Sequence, residues 1–598
     1  MLRLRQFPIW ALLLIVFVLT ATWMACSAPV EYDVVIRNGT IYDGSGAPPI
    51  TADVAVQGDV IAAIGYVPDA AAKAVIDAKG LAVAPGFINM MSHAEGSLLA
   101  DGLSQSDIRQ GVTLEVMGEG RSMGPVNDRT KQDWQQRGGD IKYEFEWQTL
   151  DGYLRRLETR GVSPNVASFM GTTTARIHEL GQENRPPTAE ELDRMRALVR
   201  QAMEEGALGV ASALMQVPGP FADTQELIEL AKVAAEYDGL YASHMRFSGA
   251  RLLDGIDEVI TIAREAGIRA EVYHLKAVGQ ANAPKLDLAI TNIEKARADG
   301  LEVTADVYPY NAGSGGLTAA MPPWVGEGGQ EARVKRLKDP ATRKRIAREM
   351  LTPSDEWENL YLGVGGPSGY QVVGLKNPDL KHLNGKTIAE IAEIWNTSPE
   401  EAAMDLIIKD DSKVMSVGFS MSQKNVDRKI PVPWISFCTD SPSVATEGIF
   451  LESHIHPRAY GSFPRILAKY VREDRVLTME AAIRKMTSLP ATTLRLDRRG
   501  MLKEGYFADI VIFDPDTVQD HATYEKPHQY STGIQHVLVN GVAVVKDGEH
   551  TGATPGRVVR GPGWKSRDAA GFTLPTEPDD CRARGDNCLG TALFLSLR

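Results

Sequence analysis

Cysteine is scarce in this chain, with four in 598 residues. So few thiols exclude a fold held by a disulfide framework. Low-complexity tracts are missing too, and the composition is that of an ordinary soluble globular protein with Gly and Pro slightly raised. No basic stretch offsets the formal net charge of -13, which argues against nucleic acid as a partner. The apolar run at the amino terminus, Ile9 to Leu19, falls short of the roughly 20 residues that a spanning helix requires. The chain is too long for one simple core, so a large domain with additions is expected.

What the amino terminus does contain is more specific. Arg3 and Arg5 precede the apolar run, and small residues lead to Ala25-Cys26-Ser27. A charged, then apolar, then small-residue order is that of a secretory signal. Cys26 directly after it resembles a bacterial lipoprotein cleavage site, with Trp23 standing where Leu is usual. Residues 1–26 are therefore expected to be a signal or lipoprotein segment. The protein is expected to be exported, either periplasmic or held at a membrane through a lipidated Cys26. Cys438 lies in an apolar run and reads as a core thiol. Cys581 and Cys588 either close a small loop in an oxidising periplasm or stay as two free thiols in a polar tail.

Two β-rich stretches flank a long middle. Val34 to Ile41 reads as a strand with a hairpin signal at Asn38-Gly39, and Asp53 to Ile61 as another. The same grammar returns in Ala508 to Asp514 and Gln535 to Gly541. Residues 32–83 and 496–550 are expected to meet as one small β-sandwich. The middle, 84–495, alternates strand and helix signals, with candidate strands ending at His93, Glu119, Gly171, Leu214, His244, His274, Tyr310 and Asp440. Eight alternating units predict an α/β fold, a (β/α)₈ TIM-like barrel. Amphipathic patterns predict helices over Ala189 to Glu204, Thr224 to Tyr237, Leu252 to Ala266, Phe463 to Glu473 and Met479 to Lys485. The last gap needs an insertion at about 322–431, with a helix over Thr387 to Trp395. Residues 551–598 are expected to be an irregular tail, loose or wrapped on the surface.

The sharpest signal is a strand–helix–strand unit with a histidine after each strand. Leu240 to His244 and Ala270 to His274 flank the helical pattern Leu252 to Ala266. Parallel strands place such residues together at their carboxyl ends, where barrel enzymes keep their chemistry. A lone histidine there is usually a hydrogen-bonded wall residue. Three of eleven histidines at such ends (His93, His244 and His274), joined by Glu119 and Asp440, instead form a ligand set suited to a divalent metal such as Zn²⁺.

Ala84-Pro85-Gly86-Phe87-Ile88-Asn89-Met90-Met91-Ser92-His93 resembles the first-strand motif of the amidohydrolase superfamily. The fuller match is to its D-aminoacylase (N-acyl-D-amino-acid deacylase) branch. It is carried by Gly111-Val112-Thr113, Ser243-His244-Met245-Arg246, His274-Leu275-Lys276, Asp306 to Tyr310, His456 to Arg465, Gly500 to Gly505 and Ala508 to Val511. The resemblance spans about Tyr32 to Gly548, with the motifs in order. Departures are equally clear. Asn89 and Met91 stand where the family's Asp-x-His-x-His has its Asp and first His. The second strand ends in Met117-Gly118-Glu119-Gly120 without the family's ligating Cys. Glu119 is the nearest replacement, one residue off in a gapless alignment; the other reading is a loop carboxylate facing water.

The resemblance implies one Zn²⁺ held by His244, His274 and Glu119, with a weaker position at His93 and Asp440. Such an ion polarises an amide carbonyl and acidifies water. Asp440 is implied as the base that becomes the acid, although Asp440-Ser441-Pro442 also reads as a turn. Arg458 is implied as the clamp on a substrate carboxylate, with Lys276 and Tyr308 assisting, against an exposed loop salt bridge for Arg458. The expected activity is hydrolysis of small N-acyl amino acids, of D configuration by resemblance alone. Alternatives are a cyclic amidase or dipeptidase of the hydantoinase, dihydroorotase or isoaspartyl dipeptidase type, or a degenerate barrel that binds without turnover. No carboxylated-Lys position is evident for the first of these.

Overall fold

The computed structural model describes residues 32–68 and 72–565. The signal segment, Cys26 and the Cys581/Cys588 pair lie outside the described residues. The chain opens with β1 (Tyr32–Ile41), β2 (Ile50–Gln57), β3 (Val60–Gly65), β4 (Ala72–Asp77) and β5 (Ala82–Pro85). Eight parallel positions follow: β6 (Phe87–Asn89), β7 (Val112–Met117), β8 (Asn165–Ser168) continued after Phe169 by β9 (Met170–Gly171), β10 (Gly209–Ala213), β11 (Leu240–His244), β12 (Arg269–Val272) and β13 (Val303–Val307). Before the eighth come β14 (Gly313–Gly316), β15 (Tyr370–Gly374) and β16 (Met415–Gly418); the eighth is β17 (Ile435–Phe437). The carboxyl part adds β18 (Ile510–Phe513), β19 (Ile534–Val539), β20 (Val542–Lys546) and β21 (Glu549–His550).

Both ends of the chain meet in one nine-stranded sheet ordered β21-β20-β19-β18-β5-β1-β2-β3, with β4 on β1. The join is antiparallel pairing of Ile510–Phe513 with Ala82–Pro85. Asn38-Gly39 makes no hairpin, contrary to its sequence signal. Asn38 takes φ 59 inside β1, and the pairing with β2 slips between Ile36 and Gly39, so the dipeptide forms a bulge in a continuing strand. Turns do form at Gly58-Asp59 and at Asn540-Gly541, where Asn540 and Gly541 have φ 47 and 80. The expected boundary at 83/84 shifts by two residues, because Ala84 and Pro85 still belong to β5.

The parallel strands form two runs, β6-β7-β8 and β9-β10-β11-β12-β13-β17. Backbone bonds bridge their ends. Phe169 N donates to Met117 O (2.9 Å), and Asp440 N to Met91 O (3.0 Å). The connecting helices form where the apolar spacing requires. Leu252–Ala266 buries Leu252, Ile256, Val259, Ile260 and Ala263 and ends at Gly267 with φ 62. Each such aliphatic side chain contributes about 1.5–3 kcal/mol on burial. Ala189–Glu204 begins at a Thr188/Glu191 capping box. The expected helix over Phe463 to Glu473 is in fact Arg458–Arg465 running into the π-helix Ile466–Glu473.

Between β13 and β17 lies a three-stranded sheet, β14-β16-β15, with its own apolar cluster that includes Leu317, Ile346, Leu383, Ile391 and Leu406. Its first strand starts at Gly313, so the inserted structure begins before the expected position 322. Ile388–Trp395 follows the Thr387 cap. Residues 551–565 are irregular but not loose. Val558 bridges to Val166 of β8, and Val559 N donates to Val166 O at 2.8 Å.

Asp509 fastens the two-ended sheet to the parallel strands. It pairs with Arg499, accepts from Asn540 N (2.8 Å) and receives Asn165 Nδ2 of β8 at 3.2 Å. Asp509→Ala leaves the buried Arg499 without its counterion and is expected to lower stability by about 3–5 kcal/mol. Urea unfolding checks this; a loss below about 1 kcal/mol, the scale of an exposed pair, would show the joint to be dispensable.

Candidate metal centre and active site

Glu119 is the hub of the site. It lies two residues beyond β7, in a loop where Gly118 and Gly120 have φ 101 and 65. A side chain at Gly120 would meet Ala213 N at 2.8 Å, so this close approach to β10 needs glycine. Glu119 Oε1 lies 2.9 Å from His244 Nδ1 and 3.3 Å from His274 Nε2. Its Oε2 lies 3.4 Å from His93 Nε2. His93 Nε2 in turn is 3.1 Å from Asp440 Oδ1. Two three-residue groups therefore share Glu119: Glu119–His244–His274 and His93–Glu119–Asp440, each with ligand atoms within 4.8 Å of one another.

Burial works against a charge on Glu119, but its hydrogen bond to His244, with His274 and His93 nearby, holds it well below the ordinary carboxylate range. Burial, with Lys276 and His244 close by, pushes the His274 imidazole down to about 3. An ionised carboxylate beside two imidazoles, one of them kept neutral, is a donor set that fits Zn²⁺. His244 and His274 stand edge to face with ring centroids 4.3 Å apart. Met215 Sδ lies 3.1 Å from His244 Nε2, a neighbour that nothing in the sequence marked.

Two site residues sit in the left-handed region, His274 at φ 35 and Asp440 at φ 48. Such backbone persists only where its surroundings enforce it. At His274 the enforcement is Asp306, whose Oδ1 accepts the His274 backbone N–H at 2.7 Å. Asp306 was visible within a motif, but its bracing role depends on a neighbouring strand and had no sequence signal. At Asp440 the backbone N–H donates to Met91 O, and the side chain takes 2.6 Å from Arg458 Nη1 and 3.1 Å from His93. Burial opposes ionisation of Asp440, yet Arg458, His274 and His93 hold it far below the usual range.

The first-strand departures are structural. Asn89 is fully buried, donates to Asp107 Oδ1 (3.0 Å) and Thr439 Oγ1 (2.7 Å), and accepts Thr439 N (2.9 Å). It pins the loop that carries Asp440. Met91 packs in an apolar cluster with Ile88, Tyr273 and Cys438. Cys438 is a buried thiol donating to Asp306 at 3.2 Å.

Arg458 is not the exposed loop residue that the alternative reading required. It is buried, its guanidinium lies 4.5 Å over the Tyr308 ring, and Lys276 Nζ lies 5.7 Å from the same ring. Arg458 Nε and Tyr308 Oη are buried without a hydrogen-bond partner. Buried donors left unpaired are costly, so these mark a place for an acceptor. His93, Glu119, His244, His274, Lys276, Tyr308 and Asp440 line one cavity of about 270 Å³. Arg458 lines the adjoining one of about 540 Å³, which shares His93, Glu119 and Asp440. All eight sequence-predicted residues are thus brought together, although β6, β7, β12 and β17 end two to four residues before their site residues. His93 in particular stands in a loop beyond Asn89.

Comparison with known proteins agrees with this geometry. The model of the amidohydrolase family matches residues 74–322 and 454–545. An N-acyl-D-glutamate deacylase of Alcaligenes xylosoxydans xylosoxydans is 33% identical over 533 residues, 89% of this chain and 97% of that one. The crystal structure of an N-acyl-D-glutamate deacylase from Bordetella bronchiseptica, complexed with zinc and a phosphonate mimic of the tetrahedral intermediate, matches at 29% identity and a TM-score of 0.74. A D-aminoacylase with a binuclear metal centre matches at 30% and 0.74; each covers 89% of this chain and 100% of the solved one. An L-hydantoinase from Arthrobacter aurescens, at 16% identity and 0.51, shares the fold alone. The chain belongs to the amidohydrolase family, in its D-aminoacylase branch.

Proposed function

We propose that this protein hydrolyses the amide bond of N-acyl-D-amino acids, giving a carboxylate and a free amino acid, with Zn²⁺ as cofactor. The observation that carries the reading is a pair of adjoining cavities that share Glu119 and the ionised Asp440, one lined also by His244, His274 and Tyr308 and the other by Arg458, with Arg458 Nε and Tyr308 Oη left as unpaired buried donors. His244, His274 and Glu119 would hold the ion, Glu119 in place of the family's thiolate. When bound there, zinc supplies Lewis acidity toward the amide carbonyl and toward water. Asp440 then accepts a proton from the attacking water and returns it to the leaving amine. Arg458, Tyr308 and Lys276 hold the substrate's α-carboxylate, with Arg458 also steadying Asp440 by charge-assisted bonding. His93 hydrogen-bonds Asp440 from the other side.

One tightly held ion is the favoured count. Met91 replaces a histidine beside the second group and lies in the apolar cluster, which leaves His93 and Asp440 with only a shared Glu119. The relative with a binuclear centre supports a second reading, in which Glu119 Oε2 also serves an ion at His93 and Asp440. The eight parallel positions are read as a closed (β/α)₈ barrel, supported by the Asp440–Met91 backbone bond, and the two-ended sheet as a small sandwich over it. Export and attachment through a lipidated Cys26 are proposed from residues 1–26 alone. The hydantoinase structures that resemble this chain share its fold alone.

Elemental analysis of the purified protein is expected to find about one zinc per chain, lost in Glu119→Ala. Zinc retained by that variant would remove Glu119 from the ligand set, and zinc-free wild type after supplementation would favour the barrel that binds without turnover. Asp440→Asn is expected to keep zinc while lowering kcat on an N-acetyl-D-amino acid by about 10²–10⁴-fold. A kcat within about threefold of wild type would exclude Asp440 as the proton carrier, since proton transfer of this kind supplies at least 10²-fold.

A further inference from the structure

Two carboxyls are buried behind the active site, one of them on the strand that leads to Glu119. Glu115 lies in β7 between the apolar Leu114 and Val116, and both it and Asp107 are fully buried. Burial pushes the two carboxyls above the ordinary carboxylate range, and for Glu115 the nearby Asp107 adds to it. An apolar side chain would fill such a place without that cost, and replacements of this kind are often neutral or stabilising. Stability alone therefore does not account for the pair.

Their hydrogen bonds run to the two loops that carry His93 and Asp440. Glu115 Oε2 lies 2.6 Å from Ser92 Oγ, and Ser92 directly precedes His93. Glu115 Oε1 lies 2.5 Å from Ser104 Oγ, which is itself 2.7 Å from Ser443 Oγ, just beyond Asp440. Asp107 Oδ1 accepts from Asn89 Nδ2 at 3.0 Å, and Asn89 holds Thr439, the residue before Asp440. Asp107 Oδ2 lies 3.2 Å from Ser106 Oγ, which accepts the Val444 backbone N–H at 3.0 Å. One buried pair thus grips the Asp440 loop on both flanks and the His93 loop at Ser92. The loops also meet each other, since His93 N donates to Ser441 O at 3.1 Å. Ser104 sits at φ 51, a left-handed backbone that needs such enforcement. Neither carboxyl has a buried oxygen without a partner, and a satisfied network of this kind rigidifies what it supports.

We propose that Glu115 and Asp107 are positioning residues for the reaction, a hydrogen-bonding pair that fixes Asp440 and His93 in place from behind. The inference rests on the deacylase reading and concerns its proton carrier. Neither residue lines the cavities, so both act through the loops and not on the substrate. The loops set the 3.1 Å contact between His93 Nε2 and Asp440 Oδ1. A general base works only within hydrogen-bond reach of its proton, so a displaced Asp440 loses rate while substrate binding is kept.

The test is steady-state kinetics of the zinc-loaded full chain on an N-acetyl-D-amino acid, with zinc content and urea unfolding of each variant. Glu115→Leu, an apolar replacement of similar size, is expected to keep its zinc and a KM within about twofold of wild type, while kcat falls about 10–100-fold. Glu115→Gln still hydrogen-bonds both serines and should recover most of that loss. In an Asp440→Asn background Glu115→Leu should lower kcat little further, because the group it positions is gone. Ser443→Ala removes one link of the network and should lower kcat about threefold or more at unchanged KM. That variant decides the matter if Glu115→Leu does not fold. An unchanged kcat in Glu115→Leu or in Ser443→Ala would overturn the inference and leave the deacylase reading standing. So would a loss just as large beside Asp440→Asn, or a Glu115→Gln variant no better than Glu115→Leu. A wild type that turns over no N-acetyl-D-amino acid would overturn the deacylase reading itself, and this inference with it.

Discussion

A single buried carboxylate, Glu119, faces three imidazoles, and the rest of the site is arranged around that fact. A carboxylate has two oxygens where a thiolate has one sulfur. Glu119 uses both, Oε1 toward His244 and His274 and Oε2 toward His93. Its charge survives burial only because those rings surround it. Change at this position therefore alters the candidate ligand group and the electrostatics of His93 together, and through His93 it reaches Asp440.

Precision at such a centre comes from strained backbone held by distant partners. His274 and Asp440 both sit at positive φ, which a β-carbon disfavours. Asp306 clamps the first from the neighbouring strand. Met91 O, Arg458 and, through Thr439, Asn89 clamp the second. In this chain Asn89 and Met91 act as braces: Asn89 through hydrogen bonds, Met91 through its carbonyl and apolar packing.

The peripheral parts have a positional logic too. Asp509 ties the two-ended sheet to β8 and the β19–β20 turn. The inserted structure, with its own apolar cluster, delivers Arg333 to a cavity that Arg137 also lines. A stable core of its own lets that structure present a charged side chain at a fixed place, which a bare loop of the same length would not do.

Local rules made much of this legible from the sequence. Apolar spacing and caps marked the helices at Ala189–Glu204, Leu252–Ala266 and Ile388–Trp395, because periodicity and capping act within a few residues. Parallel order alone brought His244 and His274 to one end, since side chains that follow adjacent parallel strands must meet there. The sequence could not show that Asn38-Gly39 bulges instead of turning, because a bulge is decided by the partner strand's register. Nor could it show that Asp306 braces His274, that Arg458 grips Asp440, or that Arg137 and Arg333 face one space. Those pairings join residues 18 to about 200 positions apart, and electrostatic partners over such separations are chosen only when the whole fold has closed. Residue chemistry and local order were determined by the sequence; which charges meet was decided by tertiary packing.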